Sequence, residues 1–280
     1  MLKYKRILVT GAAGQLGQLA RKALRDQVAY LRLNDIAAMA PAAGNEELWS
    51  CDLADAQSVG RMLQDVDAVI HLGASLNVDD WHDTLQVNIA GAYHIYESAR
   101  QAGVKRVIYA SSHHAVGMYP ISERLDVDKP ARPDSLYGLS KCFGEDLARY
   151  YWDKFGIESV CLRIGSTRPM PNESRELATW LSEPDFERLL LACLTAPKVD
   201  YTVVYGVSNN RDSWWDNEKS AARLGFVPQD DASAHFERVH QQVERGESPG
   251  PYPMHGGKRA EYGLASNGKD GQAQPHHVEK

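Results

Sequence analysis

The chain has 280 residues, of which 43% are hydrophobic and 24% charged, with a formal net charge of −6. That is enough apolar material for a large α/β core, and the acidic balance offers no general field for nucleic acid or an anionic membrane surface. No apolar run approaches the roughly 20 residues that span a bilayer, and Cys51, Cys142, Cys161 and Cys193 include no CxxC pair, as expected of reduced thiols in a cytoplasmic protein.

Residues 7–10 are a short apolar run ended by Gly11, a pattern that predicts a buried strand. Residues 15–25 then carry Leu16, Leu19, Ala20 and Leu24 on one helical face. A second strand is predicted over 29–33, a third ending at Cys51-Asp52, a helix over 55–64 and a fourth strand over 68–72, stopped by Gly73. A long helix follows from about 83 to 102, with Gly103 as its C-terminal cap. The strand 106–110 runs into Ser111 and Ser112, a proline-punctuated loop covers 116–133, and a second long helix covers 136–155 before Gly156. A strand over 159–164 ends at Gly165. This alternation predicts an α/β fold, a Rossmann-type doubly wound parallel sheet. Beyond Gly165 the signal weakens to helices near 184–196 and 216–224 and a strand over 201–205, read as a small C-terminal cap on the same sheet. Residues 1–243 thus form one dinucleotide-binding domain with substrate-binding cap elements from about 165. From 244 to 280, glycine, proline, histidine and charge predict a poorly packed tail or, alternatively, an arm wrapping a partner subunit.

Gly11, Gly14 and Gly17 lie between the first strand and the first helix. Gly11 permits a tight turn, Gly14 lets backbone approach a pyrophosphate, and Gly17 allows close helix packing. Gln15 and Leu16 open the helix, whose free N–H groups and dipole attract phosphates. Asp35 ends the second strand, where a carboxylate accepts both ribose hydroxyls and repels a 2′-phosphate, favouring NAD over NADP. Asp52, beside Leu53, either frames the adenine or caps the following helix. Leu72 and Gly73 end the fourth strand, where backbone would touch the cofactor.

Tyr137 and Lys141 stand at i and i+4 on one helix. A free tyrosine is a poor base at neutral pH, but a cation beside it favours the phenolate, which could take a proton from a substrate hydroxyl. Ser112 ends a strand at the ligand-binding edge and can bond the reacting oxygen.

The glycine triplet, Asp52-Leu53, Asn88, Ser112 and the Tyr137-to-Lys141 pair resemble the extended short-chain dehydrogenase/reductases, the NAD-dependent epimerase/dehydratase family, over residues from about 5 to 240. The resemblance implies Tyr137 as base, Lys141 as its modulator and Ser112 as partner of the reacting oxygen. It also implies that Asn88 bends its helix and supports a proton relay; on sequence alone Asn88 is equally a polar residue in a long helix. Finer matches, at residues 9–17, 51–55, 137–145, 163–166 and 214–217, are to uronate-oxidising members. They imply oxidation of the anomeric C1 hydroxyl of D-glucuronate or D-galacturonate to an aldarolactone, with NAD accepting the hydride and no metal needed. They further imply Arg175 as the fork for the remote carboxylate, with Arg168 a rival in the same loop, and Ser75, Ser112, His113, His114 and Ser166 around the sugar. Two departures stand out: His113 replaces the family's usual asparagine, and 76–81 leaves the pattern. A homo-oligomer joined through the two long helices is expected. Competing expectations are a nucleotide-sugar epimerase or dehydratase, and a non-catalytic NAD-sensing protein.

Overall fold

The apolar runs form strands that stack edge to edge. In the computed structural model, which describes residues 2–77 and 80–261, these are β1 (Arg6–Thr10), β2 (Tyr30–Asn34), β3 (Glu46–Trp49), β4 (Ala68–His71), β5 (Arg106–Ser112), β6 (Glu158–Ile164), β7 (Ser166–Thr167), β8 (Trp180–Leu181) and β9 (Tyr201–Gly206). Seven run parallel in the order β3-β2-β1-β4-β5-β6-β9, and β7 pairs with β8 apart from them. Strand order reverses between β1 and β4, so their C-terminal ends flank the crevice where such sheets bind ligands. Alternate residues feed two cores. Ile7, Val9, Ile70, Ile108 and Leu162 face one side, and Leu8, Val69, Val107 and Cys161 the other.

The helices are α1 (Gln15–Leu24), α2 (Ala56–Met62), α3 (Trp81–Asp83), α4 (Gly91–Ala102), α5 (Leu136–Phe155), α6 (Glu176–Thr179), α7 (Glu183–Thr195), α8 (Glu218–Leu224), α9 (Phe236–Glu244) and α10 (Lys258–Glu261). Asp55 caps α2, its side chain accepting the N–H groups of Gln57 and Ser58. Asp52 is therefore not the cap; it lines the cleft and accepts the Ala54 N–H. The long helix predicted from 83 is interrupted: α3 passes into a π-helix, Thr84–Ala90, before α4 resumes. The residues this turn buries, Thr84 and Asn88, are polar, so apolar periodicity does not reveal it.

Ser135 caps α5 by accepting the Gly138 N–H, and Gly156 ends it in the left-handed region. The helix is tied to the sheet by a buried network: Arg163 of β6 forks onto both Glu145 oxygens at 2.9 and 2.8 Å, and the Ser111 hydroxyl donates to Glu145 at 2.5 Å. Removing one partner of such a pair strands a buried charge, so Glu145→Ala is expected to cost about 3–5 kcal/mol. A urea melt checks it; a loss under about 1 kcal/mol contradicts the argument.

The segment that reads as a loose tail from 244 is anchored over its described part. Met254 bridges Pro120, Ile121 N–H donates to Pro253 O, and the His255 and Gly256 N–H groups donate to Tyr119 O and Gly117 O. His255 is fully buried and accepts from Trp215 Nε1 at 3.1 Å. Backbone hydrogen bonds and one buried imidazole do the anchoring, with no apolar stripe to betray it. Residues 262–280 of that segment, and Val78 and Asp79 of the departing stretch, lie outside the described residues. No helix among the described residues is long and apolar enough to cross a membrane.

Candidate active site

The tight turn after β1 places Gly11 at φ +70, where a Cβ would lie 2.7 Å from the Gly73 nitrogen. A Cβ on Gly17 would lie 2.1 Å from the Gly11 oxygen. Both spacings require glycine, so β1, β4 and α1 converge on bare backbone. Above that backbone is a cleft of about 480 Å³. Gly14, Gln15 and Leu16 line it on the α1 side; Asp35, Asp52, Leu53 and Leu72 line it at the strand ends, and Ser112, Tyr137 and Lys141 close its far side. Asp35 is fixed at the tip of β2 by the Ala13 and Ala37 N–H groups, each at 2.9 Å. Thr10 Oγ1 accepts the Gly73 N–H at 3.1 Å, a brace the sequence did not single out. Gln15 Nε2 donates to Thr167 O at 3.2 Å, bridging the cleft mouth to the cap.

Lys141 is buried, with its ammonium 5.2 Å from the ring centroids of both Tyr137 and Tyr109. Burial pushes it down to about 8, and it has no hydrogen-bond acceptor among the described residues. Burial likewise pushes the Tyr137 phenol up, while the Arg259 charge and the Ser112 side chain pull it down. Arg259, which the sequence did not flag, is thus a second cation beside the phenol, 5.3 Å from the ring centroid against 5.2 Å for Lys141.

Asn88 lies in the π-helix and clamps the loop after β4. Its Oδ1 accepts the Ser75 N–H at 2.8 Å, and its Nδ2 donates to Ser75 O at 3.0 Å and Ser140 Oγ at 3.3 Å. Ser75 Oγ in turn lies 3.4 Å from Asp83 Oδ2.

Ser112 ends β5 and starts a 3-10 turn, His113–Val116. His113 Nδ1 is 3.0 Å from Ile164 O and its Nε2 is 2.8 Å from Arg175 Nη2. A carbonyl only accepts and a guanidinium only donates, so Nδ1 carries the proton and both ring nitrogens are committed. His113 therefore has no free nitrogen for a sugar hydroxyl, contrary to the sequence-based expectation; it holds Arg175. His114 Nδ1 is 2.6 Å from Asp134 Oδ2, leaving Nε2 free, and its ring stands edge-on to Tyr137. Ser166 Oγ is 3.0 Å from Thr179 Oγ1 in the cap.

Arg175 has no ion-pair partner among the described residues, and its Nε is buried without a hydrogen bond. Arg168, the rival, donates from Nε to Glu176 at 2.6 Å.

Residues 7–176 match the NAD dependent epimerase/dehydratase family. The chain belongs to that family. It is 49% identical over 240 residues to uronate dehydrogenase of Pseudomonas putida, covering 85% of this chain and 89% of that protein. The crystal structure of glucuronic acid dehydrogenase from Chromohalobacter salexigens superposes with a TM-score of 0.86 at 48% identity, covering 92% of this chain and 97% of that one. A mutant of uronate dehydrogenase from Agrobacterium tumefaciens complexed with NAD gives a TM-score of 0.86 at 45% identity, covering 91% of this chain and 97% of that one.

The site fits the dinucleotide of the family. The glycine-only approach of β1, β4 and α1 leaves room for phosphates at a helix N-terminus, Asp35 stands at the tip of β2, and Lys141 projects an uncommitted ammonium into the cleft.

Four histidines near the site and strap are held neutral by burial: His71 is pushed down to about 3 and His255 to about 4, and His113 and His114 are also pushed well down. The unfolded chain binds these protons near pH 6.5 and the folded chain does not, so stability falls as pH drops from about 6.5 toward 4. A series of melting temperatures is expected to decline across that window; a flat series contradicts it.

Proposed function

We propose that this chain oxidises the C1 hydroxyl of a cyclic hexuronate, D-glucuronate or D-galacturonate, to the aldarolactone. The carrying observation is Arg175, a guanidinium with a buried, unpartnered Nε, held by His113, the residue that follows Ser112 of the cleft wall; Arg175 itself lines a neighbouring hollow with Trp214 and Tyr252. NAD, when bound, supplies the acceptor for the hydride leaving C1. Every other step falls to side chains of this chain. Ser112 bonds the reacting oxygen, and Tyr137 takes its proton as the C1–H bond breaks. Lys141 holds the nicotinamide ribose and keeps positive charge beside the phenol. Loss of hydride turns the hemiacetal into an ester carbonyl, so neither water nor metal enters the balance. Arg175 grips the far carboxylate with two parallel bonds. His114, Ser75 and Ser166 bond ring hydroxyls, and Asn88 positions Ser75 through the main chain. His113 acts at one remove, by orienting Arg175.

Asp35 accepts the adenosine ribose hydroxyls and excludes a 2′-phosphate. Asp35→Ala is expected to raise the KM for NAD about tenfold and to narrow the preference over NADP; unchanged cofactor discrimination removes that role. We also read the protein as a cytoplasmic homo-oligomer. Supporting this are exposed Tyr93 on α4 and Leu139, Phe143, Tyr150 and Phe155 along α5, and four unpaired cysteines.

The deciding experiment mixes protein, NAD and each uronate and follows reduced nicotinamide. Stoichiometric accumulation supports the dehydrogenase. Turnover of nucleotide sugars without accumulation replaces it with the epimerase reading.

A further inference from the structure

The anchored C-terminal segment reaches the acid end of this site. A Cβ on Gly256 would lie 1.9 Å from Asp134 Oδ2, and one on Gly257, at φ +61, would lie 2.9 Å from Arg175 Nε. The strap backbone thus packs directly on the fork and on the carboxylate that holds His114. Two residues on, the Arg259 guanidinium carbon lies 5.3 Å from the Tyr137 ring centroid. We propose that the strap completes the substrate pocket and that Arg259 is a specificity-determining residue, a second guanidinium that recognises the sugar acid's carboxylate together with Arg175. The inference rests on the uronate reading above.

Two cations converge here with carboxylates nearby (Glu173, Glu176 and Asp134) but none in direct contact. Arg175 and Arg259 both act on His114, and neither forms an ion pair among the described residues. Asp134 faces both but is engaged by His114 and by the Ser135 hydroxyl at 2.8 Å. Like charges held together in a partly dry pocket raise its affinity for an anion. A chain of net charge −6 has no other general attraction for an acidic sugar. Arg259 also contacts the face of the Tyr137 ring, so the cation that selects the acid sits beside the group that takes the proton.

The test compares wild type with Arg259→Ala and Arg259→Lys, measuring KM for D-galacturonate and D-glucuronate and, by fluorescence, Kd for NAD. Arg259→Ala is expected to raise the KM for both uronates about tenfold or more, with NAD affinity within about twofold. Arg259→Lys keeps the charge but loses the planar fork, so it falls between. The wild-type KM also rises with added salt more steeply than that of Arg259→Ala. An unchanged uronate KM in Arg259→Ala overturns the proposal, as does a parallel loss of NAD affinity, which marks a structural role. If Arg259→Ala does not fold, Arg259→Lys decides on the same readings. A wild type that oxidises neither uronate sinks the functional reading itself; a wild type that oxidises them with an indifferent Arg259 sinks only this inference.

Discussion

Tyr137→Phe is expected to lower kcat about a thousandfold while leaving the Kd for NAD within about twofold. Phenylalanine preserves the ring that Lys141 and Arg259 approach at 5.2 and 5.3 Å, so the fold and the cleft wall survive. Only the proton acceptor is lost. Without bound cofactor the phenol is pushed up by burial, so the base form depends on added positive charge: Arg259, Lys141 and the cofactor ring once bound. A base must be deprotonated to act, so wild-type kcat is expected to rise with pH through neutrality, and the residual rate of the variant is expected to be flat. Stopped-flow and steady-state rates across pH check both. A variant within about tenfold of wild type, with the same pH slope, would remove Tyr137 from the mechanism.

Arg175→Ala is the second large effect. The guanidinium is the group we assign to the uronate carboxylate, and truncating a buried charge partner costs about 2–5 kcal/mol. The KM for uronate is expected to rise about thirtyfold or more, with the KM for NAD nearly unchanged. The same change leaves His113 Nε2 buried without its donor, so a loss of about 1–3 kcal/mol in stability should accompany it. Arg175→Lys is not expected to rescue, because an ammonium cannot serve His113 and a carboxylate with one rigid fork. Equal rises in KM for uronate and NAD would show that Arg175 only supports the fold.

The parts of this protein that were legible in the sequence are those set by local spacing. The turn at Gly11, Gly14 and Gly17, the pair Tyr137 and Lys141, and the β–α alternation each depend on residues within one or two turns of chain, and those five residues line the cleft. What was not legible depends on groups brought together across the fold. His113 looked like a sugar ligand, and only the Ile164 carbonyl and Arg175 on either side of its ring show that both nitrogens are taken. The π-helix around Asn88 left no trace in the apolar pattern. Arg259 lies in a stretch whose composition resembles solvated chain, because main-chain hydrogen bonds dock it.

The bridge from Gln15 to Thr167 has a kinetic consequence. It joins the first phosphate-facing turn to the cap across the doorway of the cleft, and both groups belong to surfaces that an arriving dinucleotide would touch. One exposed hydrogen bond is worth only about 1 kcal/mol, so this latch delays entry little. The doorway is therefore spanned by a contact too weak to bar the coenzyme, and shortening Gln15 is expected to change coenzyme exchange by no more than about fivefold and to leave the chemical step unchanged.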